Sequence, residues 1–250
     1  MTAQLDRLRN MLEAAIAENA SLRFETGRAA SANDIKRLLG KLVTICQSRH
    51  KSPDYPKLRD AWTLFADRPD STLEIEDNGV YIGLDHIREW FKAFYEAGPF
   101  VGVQFERNLT SPQLVISGDG MSARGVWEVV GHDADPRNKE SGSREGNAAV
   151  LWNWGVIRAD FLNIEGEWKI WHYHYYQRMS APFHRSWADC ERSAAFTGPY
   201  SNRPGFAGQY LPAPDAPPTW HNTYSPQTVQ LPYPPCPEPY STWTDAMGPA

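Results

Sequence analysis

The residues best suited to chemistry are concentrated between Asn147 and Arg178, in NAAVLWNWGVIRADFLNIEGEWKIWHYHYYQR. This segment reads as two long aromatic strands joined by a turn at Glu165-Gly166. Period-two alternation on the second strand predicts one face carrying Trp168, Ile170, His172, His174 and Tyr176. Two imidazoles and a phenol beside Trp and Ile suit proton transfer on an aromatic or polycyclic molecule. A histidine near its ordinary pKa of ~6.5 can act as acid or base at neutral pH.

Plainer readings of the same residues stand beside that one. His172 and His174 could be hydrogen-bonded structural histidines. A His-x-His pair could also ligate a metal, but no matching acidic spacing accompanies it. Tyr176 could be an interface aromatic. No cradle for a nucleotide cofactor is visible, so neither a cofactor nor a metal is expected.

Other polar residues sit at positions where a sheet could line a cavity. Arg158, midway along an aromatic strand, would be costly if buried alone, so it binds an anionic oxygen or pairs with Glu106 or Glu128. Arg107 and Asn108 are adjacent and face opposite ways, so only one can look inward. Trp127, Trp152, Trp154, Phe91 and Tyr95 offer stacking surface for an aryl ring, or plain core packing.

Positioning these groups requires a mixed architecture. Residues 3–25 place Leu5, Leu8, Leu12, Ala15, Ile16 and Asn19 at three- and four-residue steps, an amphipathic helix short for a coiled coil. Such an arm packs on a partner subunit or on its own body. A break is expected at residues 27–30. Beyond it, with Ser31 as N-cap, a helix carries Ile35, Leu38, Leu39, Leu42, Val43 and Cys46 on one stripe. A polar link at residues 49–53 leads to a short helix around Leu58, Trp62 and Phe65. A hairpin over 72–82 and a helix over 85–97 follow. Strands are expected at 101–109, 113–117, 123–130, 149–163 and 168–177, with a polar loop at 133–146. Three regions result: an arm (1–30), an α+β body (31–182) and a tail (183–250). Prolines concentrate in the tail, excluding helix or sheet interior, while its eight Tyr and Trp argue for an extended strap over the body or a neighbour. A disordered proline-rich ligand for other proteins is the alternative.

Bulk properties narrow the possible partners. In 250 residues, hydrophobic content of 41% and charged content of 22% are ordinary for a globular chain, while ten Trp are many. A net charge of −5 without a basic run argues against nucleic acid. No apolar stretch reaches the ~20 residues that span a bilayer, and no secretory leader is visible. Three cysteines without CxxC spacing read as reduced thiols, so a cytoplasmic setting is expected.

The order of elements resembles the SnoaL-like branch of the nuclear transport factor 2-like superfamily. Residues 58–91 (LRDAWTLFADRPDSTLEIEDNGVYIGLDHIREWF) resemble the family's opening: a helix ending in Leu-Phe, an acidic strand, Gly-x-Tyr-x-Gly and a helix. Residues 112–119 resemble its strand into a Gly-Asp turn, and Gly155, Phe161 and Trp168-Lys169-Ile170 its closing hairpin. The resemblance implies a cone, a curved antiparallel sheet closed by three helices around a pocket, with an outer face free for dimer or trimer contacts. Family enzymes work without cofactors, using an Asp or Tyr near the first helix and a His on the third strand. Here Asn108 occupies the strand position, where it could orient a hydroxyl or hold an oxyanion, and the link reads Arg49-His50. The penultimate-strand Tyr is replaced by Ile157.

The extended N-terminus, Trp-rich closing strands and Pro/aromatic tail also look like the sphingomonad lyases acting on lignin-derived dimers. These release the γ-carbinol of diarylpropane or phenylcoumaran units as formaldehyde and leave a stilbene. The resemblance implies a cofactor-independent lyase with His172, His174, Tyr176, Asn108 and His50 catalytic, and Arg107, Arg158, Trp127, Trp152, Trp154, Phe91 and Tyr95 binding a small aromatic substrate. A dehydratase, hydratase or isomerase of a polycyclic substrate is the enzymic alternative. A non-catalytic binding or assembly module stays open as well.

Overall fold

The computed structural model describes residues 2–47, 58–75, 78–96, 104–135, 149–183, 186–189, 211–220, 223–227 and 229–249. His50, in the catalytic set expected above, lies outside them, as do Cys190 and most of the expected loop at 133–146.

Helix α1 runs unbroken from Thr2 to Gln47. The break expected at residues 27–30 is absent because Gly27 and its neighbours lie inside a continuous hydrogen-bond ladder, where a lone glycine costs only about 1 kcal/mol relative to alanine. The two halves differ in packing. Ile35, Leu39 and Leu42 are fully buried, whereas the apolar residues before Gly27 are exposed. A 3-10 turn (Leu58–Leu64) and helix α2 (Leu84–Glu96) complete the helical layer, with Ile87, Trp90 and Phe91 pointing into the core.

Six strands form one open, curved sheet: β1 (Thr72–Ile75), β2 (Val80–Ile82), β3 (Gln104–Ile116), β4 (Ser122–Asp135), β5 (Ala149–Ile164) and β6 (Glu167–Pro182), in the order β2-β1-β6-β5-β4-β3. Every pairing is antiparallel except β1 with β6, which runs parallel. The two strands expected at 101–109 and 113–117 are one strand with a bulge between Thr110 and Gln113, where Ser111 takes φ 49°. Strand β4 continues to Asp135, five residues past the expected end at Val130 and into the expected polar loop, because pairing with β5 holds it. At the β5–β6 turn, Glu165 (φ 53°) and Gly166 (φ 87°) both occupy the left-handed region, as a two-residue hairpin requires.

The sheet is covered on both faces. Ile35, Leu39, Phe65, Ile87 and Phe91 from the helical layer meet Leu73, Trp127, Ile157, Phe161, Ile170, Tyr173 and Tyr175 on one face. Residues 211–216 run along the β2 edge, where Leu211 packs on the helix-side core and Asp215 meets His86, and residues 217–220, 223–227 and 229–249 lie across the opposite face as an extended strap. Trp220 packs with Val126, Val156 and Tyr176 there, and Trp243 packs against Trp171 and His172.

Candidate functional site

Parity along β6 decides which rings meet. Asp160 pairs with His172 but Phe161 pairs with Ile170, so Trp171 is the extra residue of a β-bulge. An extra residue flips every later side chain to the other face. Trp168 and Ile170 therefore join the helix-covered core together with Tyr173 and Tyr175. His172, His174 and Tyr176 emerge beneath the strap. The single face expected for Trp168, Ile170, His172, His174 and Tyr176 is thus corrected to two.

Under the strap each ring has polar or aromatic company. His172 Nδ1 lies 2.9 Å from Asp160 Oδ2, and Arg124 donates to both Asp160 oxygens at 2.5 and 3.0 Å. Arg124 also donates to the carbonyl of Gly248 at 2.5 Å, clipping the strap's end to the sheet. His174 Nε2 lies 3.3 Å from Glu74 Oε1 and stacks on Tyr176 with ring centroids 3.6 Å apart. Glu74 in turn accepts from the Thr219 backbone N–H at 2.7 Å and its hydroxyl at 2.8 Å. Burial lifts the Glu74 carboxyl above its ordinary range and, more strongly, drives the Tyr176 phenol up. Tyr176 is covered by Trp220 and Tyr233, which stack on each other at 4.4 Å. Arg158 stands on this face, 9% exposed, and pairs with neither Glu106 nor Glu128; its Nε has no hydrogen-bond partner among the described residues. Glu128 is bound instead by Arg178, at 3.0 and 3.1 Å.

A second polar group lies on the helix-covered face, at the end of the sheet beside the C-terminus of α1. Arg107 donates to Asp133 in a two-pronged pair at 2.5 and 3.0 Å. Asn153 donates to Asp133 at 2.8 Å, and Gln177 donates to Asn153 at 3.2 Å. The Oε1 of Gln177, a residue 3% exposed, has no hydrogen-bond partner among the described residues. Arg107 also lies 6.0 Å from the centre of the Tyr175 ring. Gln47, the last residue of α1, donates to the Arg107 carbonyl at 2.6 Å, tying helix to sheet at this point. A glycine makes room for Tyr175: a Cβ on Gly155 would come within 2.5 Å of its ring. A buried carboxylate held by a guanidinium and an amide, an open amide acceptor and a phenol can together take, give and orient protons.

The remaining candidates divide between the faces. Trp127 and Phe91 are buried on the helix-covered face, and Tyr95 packs at its margin, with Arg59 5.9 Å from its ring. Asn108 is exposed on the other side of β3, so Arg107 is the member of that pair that looks toward the helices. Trp152 and Trp154 form a ladder with Phe183 and Trp187, also away from the helices. Asp133, Asn153, Gln177 and Tyr175 were not among the candidates read from the sequence. Only strand parity joins them, and the bulge at Trp171 conceals it. Among the described residues, no three His, Cys, Asp or Glu side chains stand together as a metal site. No helix among the described residues is long and apolar enough to cross a membrane.

Several solved structures are similar over part of this chain. A hexachlorocyclohexane dehydrochlorinase from Novosphingobium barchaimii LL02 is similar over 65% of this chain and 96% of its own, with 15% identity and a TM-score of 0.48. A putative scytalone dehydratase from Novosphingobium aromaticivorans DSM 12444 is similar over 64% and 93%, with 11% identity and a TM-score of 0.46. A protein of unknown function from Mycobacterium tuberculosis is similar over 61% and 74%, with 16% identity and a TM-score of 0.43. At these identities the likeness is one of fold. No curated protein matches the sequence. The pattern of the SnoaL-like domain matches residues 27–174, more than half of the chain, and the chain belongs to that family.

Proposed function

We propose that this SnoaL-like protein is a cofactor-independent lyase for a small aromatic molecule, with its chemistry on the helix-covered face. The supporting observation is the chain of contacts Arg107–Asp133–Asn153–Gln177 beside Tyr175. It supplies a carboxylate base, a phenolic acid, a cation for developing negative charge and an open acceptor for a substrate hydroxyl. The Tyr175 ring borders it, 6.0 Å from Arg107. His172 and His174 suit the reaction less well. They are tied to Asp160 and Glu74 beneath the strap.

The sharpest form of the reading is a γ-formaldehyde lyase for a lignin-derived diarylpropane diol. In that reaction the benzylic C–O bond breaks, a proton is delivered to the leaving oxygen, and water departs as the para-phenolate becomes a quinone methide. A base then removes the γ-hydroxyl proton. The new C=O bond of formaldehyde forms as the Cβ–Cγ bond breaks, and that electron pair restores the aromatic ring and leaves a stilbene. Arg107 would hold the phenolate, Tyr175 protonate the departing oxygen, and Asp133 take the γ-hydroxyl proton. Purified protein incubated with a 1,2-diarylpropane-1,3-diol should yield equal amounts of stilbene and formaldehyde. Asp133→Asn should lower kcat by roughly 10²–10⁴-fold, the size of a lost proton-transfer catalyst. Water loss with every carbon retained would make the protein a dehydratase. No reaction across several such diols would remove this substrate class.

A further inference from the structure

The first half of α1 carries an apolar stripe that none of the described residues covers. Leu5, Leu8, Leu12 and Leu22 are 57–62% exposed, and Met11 and Ile16 are each 60% exposed. The first contact with the body comes at Arg28, which donates to the Ile116 carbonyl at 3.1 Å. Residues 2–27 therefore extend about 39 Å from the body at 1.5 Å per residue. Leu5, Leu8, Leu12, Ala15, Asn19, Leu22 and Thr26 recur at alternating three- and four-residue steps, a strict seven-residue period. That period closes a left-handed supercoil, not a flat contact on a globular surface.

The flanking positions select the partner. With Leu5 as the first position of the repeat, a parallel, in-register second copy brings Glu18 beside Arg23 and Met11 beside Ile16 of the other helix. Charge meets opposite charge, and apolar meets apolar. Asn19 faces Asn19, which is the arrangement that fixes register and favours two strands. An antiparallel copy of full overlap would set Arg9 against Ile16, Met11 against Glu18, and Asn19 against Leu8. Among the described residues Glu18 and Arg23 make no ion pair or hydrogen bond, although Arg9 is held by Glu13 at 3.0 Å.

We infer that residues 4–26 form a parallel two-stranded coiled coil with a second copy of this chain. The inference is independent of the proposed reaction. Light scattering on the full chain at 10–100 μM should give twice 28.3 kDa, and Leu8→Glu with Leu12→Glu should halve it while the thermal transition of the body persists. Glu18→Lys should weaken association about tenfold, and adding Arg23→Glu should restore it. Oxidised Ala15→Cys should give a disulfide between two copies of the peptide containing position 15. A monomeric parent, a trimer, a dimer indifferent to the Leu8 and Leu12 changes, or a dimer lacking the 15–15 link would each overturn the inference.

Discussion

Asp133 is 5% exposed and is bound by Arg107 and Asn153. Removing Arg107 alone would leave that carboxylate buried without its cation, at a cost of about 3–5 kcal/mol, so Asp133→Asn tests chemistry with less risk to the fold. Gly155 permits a different test. An added methyl there meets the Tyr175 ring at 2.5 Å, so Gly155→Ala should displace the phenol. Activity should fall by at least tenfold while circular dichroism stays unchanged, and unaltered kinetics would detach Tyr175 from the reaction. Glu74 reports on the other face. Its desolvation raises the folded-state pKa above 4.5, so the folded chain binds the proton more tightly than the unfolded chain. The resulting stabilisation is complete below 4.5 and is lost as pH rises through the folded value. Glu74→Gln, which keeps an acceptor for Thr219, should therefore raise the urea midpoint above the parent's at pH 8, with the gap closing by pH 4. A constant gap across that range would mean the carboxyl is not buried as described.

At the scale of elements, one residue in β6 governs the layout. With Trp171 looped out as a bulge, Tyr173 and Tyr175 go to the helices while His172 and His174 go to the strap. Among the described residues the Pro-rich tail forms no strand and meets the sheet's backbone edge through a bridge of Ala216 to Val80, while its aromatic residues supply contacts on the sheet's face. Trp220 is the centre of one such contact, against Tyr176, Tyr233 and Val156. Trp220→Ala should lower stability by about 2 kcal/mol through lost apolar burial, read as a shifted denaturation midpoint. No shift would mean the strap leaves the sheet in solution. Helix α1 shows the opposite relation. Its second half follows the stripe Ile35, Leu39, Leu42 that the sequence displays, whereas the break anticipated at Gly27 yields to the cooperativity of a helix already formed on both sides.

Across the whole molecule, periodicity, turn residues and composition made much of the fold legible. The hairpins, α2, the buried stripe of α1 and the family pattern can all be read locally, because each depends on spacing between near neighbours. So can the burial of Trp127 and Phe91 in the core. The bulge at Trp171, the parallel β1–β6 pairing across about a hundred residues of chain, and the contact of Arg107 with Asp133 could not be read this way. A bulge leaves no compositional mark, and strands separated by long loops choose partners through packing. The amino-acid order alone determined which segments are helix, strand or proline-rich tail, since backbone sterics and apolar spacing act within a few residues. Only tertiary structure decided which face each ring occupies, because that rests on strand parity, and parity turns over with a single extra residue.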